Sequence, residues 1–344
     1  MIRSLWWAAQ VPGATAPWDT ATMRVFYPAA PTWSLEERMS GVLPADPAQA
    51  PFPVVVIAPG INVGQDSYRW LAVRLAEAGF LAVSYDHVGE LMPGQVGTSP
   101  GVDLDAARPE HYGSRPTGVA LRAVLDAVAA AAASGPLEGL VDLTRVAFVG
   151  HSAGGSVVLQ SSSSDWFPEL RAAITYAAHG GVSTVLGWPP ATVVASPATV
   201  PVLLMGGTHD GVVDASAVRY ADGGPVEGAV ADAADQALFS RTHEESLASS
   251  SDALMVLWRG ANHFAVADPV DPTTARAFLD GDPVVDPAAT REALTSLVID
   301  FLRGHVRDEA DARERVTAFV AAPPSEVSLV RRRTAVLTGR SDAC

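Results

Sequence analysis

The sequence predicts an α/β protein in which a mostly parallel central sheet is flanked by helices. Three observations predict it. Continuous β-branched runs, such as PVVVIAPG at 53–60, read as strands buried on both faces. Stretches of helical spacing, such as SYRWLAVRLAEAG at 67–79, alternate with them. The residues that carry chemistry follow the carboxyl ends of strands, where open α/β sheets place their sites.

Taken in order, 23–30 (MRVFYPAA) alternates and ends at a proline, which predicts an early antiparallel strand. The Pro/Ala-rich segment 31–52 predicts a surface loop. The strand 53–60 leads into the helix 67–79, with Gly79 as its C-cap. A strand at 80–86 precedes a long loop to about residue 113. A helix follows at 117–134, a strand at 145–150, a helix at 152–160 and a strand at 172–178. Further strands are predicted at 200–207 and 252–260, and an amphipathic helix at 290–305. The 344 residues read as a single domain with its core at about 23–305. The segment 219–251, with a helix-compatible stretch at 229–239, is long enough to form a small cap over the pocket. A C-terminal extension covers 308–344, and its Arg331-Arg332-Arg333 reads as a solvated run.

The net charge of -15 opposes binding to nucleic acid or anionic membranes. Cys344 is the sole cysteine, so no internal disulfide forms. The apolar patch at 5–9 is shorter than a secretory core segment, and the longest apolar stretch, near 124–133, is too short for a membrane span. Together these predict a cytoplasmic protein with no membrane span. No Cys/His cluster with ligand spacing and no dinucleotide-binding glycine motif is present, so no metal and no cofactor are expected.

The strongest motif is Gly150-His151-Ser152-Ala153-Gly154. A G-x-S-x-G between a strand and a helix makes a sharp turn that lifts the serine hydroxyl above the sheet. A bare G-x-S-x-G is also a common glycine-rich turn. Here the preceding strand, the following helix and Gly155 supply the context of a nucleophile elbow. A serine hydroxyl needs a base, and the base an orienting acid, in the chain order Ser, Asp/Glu, His. Asp210 follows the strand at 200–207 and His263 follows the strand at 252–260. Asp214 is the rival acid; His179, His209, His243 and His305 are the other histidines beyond the serine. Two backbone N–H groups are expected to form an oxyanion hole, one from Ala153 and one from Ile61. An unperturbed histidine base would place the acidic limb of activity at about pH 6 to 7.5.

At these residues the sequence resembles one branch of the α/β-hydrolases. That branch holds bacterial cutinases and polyester hydrolases, platelet-activating-factor acetylhydrolases, chlorophyllases and dienelactone-hydrolase-like proteins. The resemblance is carried by APGINVGQDSYRWLAVRLAEAGFLAVSYDH, GHSAGG, GGTHDGVVD and LWRGANHFAVAD. It implies the α/β-hydrolase fold and a triad of Ser152, His263 and Asp210, with Ile61 and Ala153 as oxyanion donors. His151, His179, Trp188 and Phe264 are expected to line the substrate pocket. The implied activity is that of a serine esterase on a small or medium ester. The competing readings are a cofactor-free haloperoxidase, lyase or acyltransferase on the same triad, and a non-catalytic ligand-binding relative.

Overall fold

The computed structural model describes residues 1–92, 94–222, 231–274 and 276–334. Cys344 and residues 223–230 of the expected cap lie outside the described residues. Among them, ten strands form one sheet. The strands are β1 (Ile2–Gln10), β2 (Thr20–Pro28), β3 (Phe52–Ala58), β4 (Leu81–Met92), β5 (Gln95–Ser99), β6 (Val141–His151), β7 (Leu170–Tyr176), β8 (Val202–Gly207), β9 (Asp252–Trp258) and β10 (Val327–Thr334). Their order is β1-β2-β4-β3-β6-β7-β8-β9-β10, with β5 paired to β4. The centre, from β4 to β9, is parallel; the pairs β1–β2, β2–β4, β4–β5 and β9–β10 are antiparallel.

The β-branched run of β3 explains why the sheet is covered twice. Side chains alternate across a strand, so Val54, Val56 and Ala58 enter one core while Val55 and Ile57 enter the other. The first core is closed by α3 (Val119–Ala131), by α4 (Ala153–Ser161) and by Phe239 of α6 (Ala231–Glu244). The second is closed by α2 (Arg69–Glu77), α7 (Pro287–Val306) and Val316 of α8 (Ala310–Ala321). Two further helices are α1 (Leu35–Ser40) and α5 (Gly211–Asp222), and α5 sends Val213 into the first core and Val212 into the second. No helix among the described residues is long and apolar enough to cross a membrane.

Four features depart from the sequence reading. The patch at 5–9 belongs to β1, which pairs along its length with β2. Only Ala9 of β1 is buried, so this edge strand carries no clear apolar alternation. The loop expected after residue 86 begins instead as a hairpin, because β4 runs on to Met92 and turns into β5. In the described part of 219–251, α6 is anchored on the sheet: Phe239 is fully buried against Gly206, where a side chain would strike its ring. Finally, Arg331-Arg332-Arg333 is part of β10. Arg332 grips the Asp252 carboxylate with two bonds of 3.0 and 2.7 Å, and Arg331 pairs with Glu244. The sheet therefore reaches from Ile2 to Thr334, beyond the expected 23–305 at both ends.

Candidate active site

Ser152 lies between the end of β6 and the start of α4, with φ 55° and ψ −122°. That conformation is strained for any residue with a side chain and costs on the order of 1–3 kcal/mol. Its surroundings impose it. The Ser152 N–H donates to the Tyr176 carbonyl at 3.0 Å, and the Ser152 carbonyl accepts from Ser156 N–H at 3.0 Å. The turn is tight enough that a Cβ at Gly150 would strike the Gly154 backbone, and one at Gly154 would strike the Ala58 and Pro59 carbonyls. This steric demand explains the glycines of the motif. Ala153 opens α4, so its N–H has no acceptor within the helix. Gly60 packs over the elbow, since a Cβ there would lie 3.4 Å from Ser152 Cβ. Ile61 follows directly and is partly exposed.

Asp210 and His263 are brought together by neighbouring parallel strands, β8 and β9. The loops after them are laced: Thr208 N–H donates to the Trp258 carbonyl and His209 N–H to the Ala261 carbonyl, both at 2.9 Å. His263 Nδ1 lies 2.9 Å from both Asp210 carboxylate oxygens, with the pair almost wholly buried. A proton on Nδ1 is thus held by the carboxylate, which leaves Nε2 as the acceptor. Asp210 also caps α5, accepting from Val213 N–H at 2.8 Å. The rival Asp214 sits one turn into α5, its N–H bonded to the Asp210 carbonyl at 3.1 Å. Burial acts against the charged form of each partner, pushing His263 down to about 4 and Asp210 up to about 7. The imidazole is therefore neutral near pH 7 and able to accept a proton.

His151 is buried beside His263. It is 2% exposed, and both ring nitrogens are engaged by the protein. Tyr68 Oη lies 2.8 Å from Nδ1, and Nε2 lies 3.0 Å from the His263 carbonyl. The Tyr68 oxygen also accepts from Gly60 N–H at 2.9 Å. Burial keeps Tyr68 a phenol and His151 neutral. Tyr68 thus donates to Nδ1, and Nε2–H donates to the His263 carbonyl. One chain of hydrogen bonds ties the loop after β3 to the elbow and to the loop that carries His263. Its ring lies 5.0 Å from the His263 ring, centroid to centroid.

The other expected pocket residues take different places. Phe264 packs edge-on against His263 and lines a groove beside it. His179 is buried, and burial holds its imidazole down at about 4. Trp188 braces two loops, with its indole N–H on the Ala107 carbonyl at 2.9 Å and its ring against Tyr112. Of the remaining histidines, His243 bonds the Ala253 carbonyl at 3.0 Å, and His305 lies beside Asp252, which begins β9, at the opposite end of that strand from the His263 loop.

Asp280 and Tyr176 were not singled out from the sequence. Asp280 accepts from Gly211 N–H at 3.1 Å and Phe264 N–H at 3.2 Å, bridging the Asp210 and His263 loops. Tyr176 Oη donates to the Asn262 carbonyl at 2.8 Å. Neither carries a local signal: Asp280 sits in a Gly/Asp/Pro stretch, and Tyr176 ends an apolar strand. Among the described residues, no group of three or more His, Cys, Asp or Glu side chains is placed to hold a metal ion.

Residues 41–256 match a family model described as PET hydrolase-like. The matched segment contains Ile61, Ser152, Ala153 and Asp210, and His263 lies just beyond it. A bis(hydroxyethyl) terephthalate hydrolase of Streptomyces coelicolor is 31% identical over 131 residues, which are 38% of this chain and 34% of that protein. The match therefore spans about a third of the length of this curated relative.

Proposed function

The chain belongs to the PET hydrolase-like family of α/β-hydrolases, and from that premise we propose that it is a serine carboxylic-ester hydrolase working through an acyl-enzyme. The observation that carries the reading is the buried His263 Nδ1 set 2.9 Å from both Asp210 oxygens, in the loop bonded to the residue before a strained Ser152. In this mechanism Ser152 Oγ attacks the ester carbonyl carbon and its proton passes to His263 Nε2. Asp210 holds the imidazole by Nδ1–H and stabilises the imidazolium that forms. The N–H groups of Ala153 and Ile61 receive the oxyanion. Collapse expels the alcohol, protonated by His263. A water activated by the same base then releases the acid.

The substrate is a neutral ester of small or medium size, and the similar Streptomyces protein makes bis(hydroxyethyl) terephthalate a reasonable probe beside p-nitrophenyl esters. The chain acts as one catalytic domain in the cytoplasm. Labelling by a fluorophosphonate probe tests the proposal, since only an activated serine reacts. The intact protein is expected to label and to hydrolyse p-nitrophenyl acetate. Ser152→Ala is expected to lose the label and to lose activity by several orders of magnitude. Activity within tenfold of the unsubstituted protein would overturn the assignment.

A further inference from the structure

We propose that Asp280 is a positioning residue of the acid–base pair: it holds the Asp210 and His263 loops together and sets a second carboxylate near the imidazole that takes up the serine proton. The proposal rests on the ester-hydrolase reading and deepens it.

The segment 279–281 lies across both loops. A Cβ at Gly211 would strike the Leu279 carbonyl oxygen and come within 3.2 Å of Asp280 Cα, and one at Gly281 would lie 3.0 Å from His209 Nε2. Asn262 Nδ2 donates to the Gly281 carbonyl at 3.0 Å. Ala277 and Leu279 pack against the second core and anchor the segment. Between these contacts the half-buried Asp280 carboxylate takes one N–H from each loop, Gly211 with Oδ1 and Phe264 with Oδ2. Gly211 directly follows Asp210, and Phe264 directly follows His263. A carboxylate that only closed its own turn would bond within a few residues; these partners are 69 and 16 positions away.

Gly211 opens α5, so two carboxylates share that helix end: Asp280 takes the Gly211 N–H and Asp210 the Val213 N–H. Free N–H groups in a helix's first turn favour negative charge. Burial and the Asp210 charge push Asp280 up, while His263 and the N–H groups of His263 and Phe264 favour its ionised form. At His263 burial dominates; the Asp280 charge works against it, and Arg276 works with it. The other titratable groups at this corner are Tyr176, kept a phenol by burial and then by both carboxylates, His209 beside Gly281, and the exposed Asp282. An imidazolium forming in the transition state therefore meets Asp210 in contact and Asp280 beyond the next peptide group.

Asp280→Asn keeps the shape and one acceptor and removes the charge. With p-nitrophenyl acetate, kcat is expected to fall about 10- to 100-fold with KM within twofold, the cost of loosened positioning away from the reacting atoms. The acidic limb of kcat/KM is expected to move to lower pH by about 0.5 pH unit, as for loss of a half-exposed charged neighbour. The direction is the same whether the limb reports His263 or Asp210, because the lost carboxylate favours a charged imidazole and a protonated carboxyl alike. Asp280→Ala is expected to lower kcat further and to move the limb in the same direction. The rate of fluorophosphonate labelling against pH reads the same limb in a variant too slow for turnover. A limb that stays in place in these variants, even with a slower kcat, would reduce Asp280 to a structural brace and overturn the proposal, as would kcat within twofold. The ester-hydrolase reading fails separately, by absence of acetate turnover and of fluorophosphonate labelling in the unsubstituted protein.

Discussion

Tyr68→Phe removes one oxygen from the buried junction of three loops. The Tyr68 hydroxyl accepts from Gly60 N–H and donates to His151 Nδ1, at 2.9 and 2.8 Å, in a site closed to water. Phenylalanine keeps the ring and leaves both partners buried and unpaired. An orphaned buried polar group costs about 1–3 kcal/mol. Two of them, offset by the hydroxyl's own recovered desolvation, amount to about 2 to 4 kcal/mol. Urea denaturation should show the loss as a lower midpoint with an unchanged m-value. The same change frees Gly60, which precedes Ile61, and loosens His151, which holds the His263 carbonyl. Ester hydrolysis should therefore fall about tenfold in kcat with little change in KM, because the loosened groups act on the transition state. A double-mutant cycle with His151→Ala should return a coupling of about 0.5–3 kcal/mol, as for residues in one network. A loss under about 0.5 kcal/mol, the range of ordinary surface substitutions, with kcat unchanged, would refute the reasoning.

Two further outcomes test the dyad. Burial pushes His263 below its ordinary value, so the neutral base persists as pH falls and activity is lost only as pH drops through the lowered value. The acidic limb that His263 contributes to kcat/KM should therefore lie below the pH 6 to 7.5 of an unperturbed histidine, toward about 4; because burial also raises Asp210 to about 7, the limb is measured in Asp210→Asn as well, and one at 6.5 or above that persists there would show that burial does not lower His263. Asp210→Asn should lower kcat by about 10³ to 10⁴ through loss of imidazole orientation, and Asp214→Asn should be mild; steady-state kinetics showing the reverse would exchange their roles.

The sequence by itself determined the parts of this protein that depend on local pattern. The buried parallel strands were legible because burial on both faces demands continuous apolar runs, β-branched in β3 and leucine-rich in β8. The elbow at Ser152 was legible because Gly150, Gly154 and Gly155 sit where any side chain would collide with backbone or with Ala178. Asp210 and His263 were legible as neighbours because each follows a strand, and β8 lies beside β9. Tertiary structure alone decided the rest. The edge strands β1 and β10 and the hairpin strand β5 are half-solvated, so their residues carry weak alternation or, in β10, three arginines that find Glu244 and Asp252 some 80 to 90 positions away. His151 looked like a pocket residue beside the serine. Its partners, Tyr68 and the His263 carbonyl, lie 83 and 112 positions away, and they place it inside the protein. The contact of both Asp210 oxygens with His263 Nδ1, and the bridge made by Asp280, likewise depend on loops meeting across the sheet edge. Periodicity and steric demand are written along the chain, whereas the partner of a polar side chain is set by which distant segments the packed sheet brings within about 3 Å.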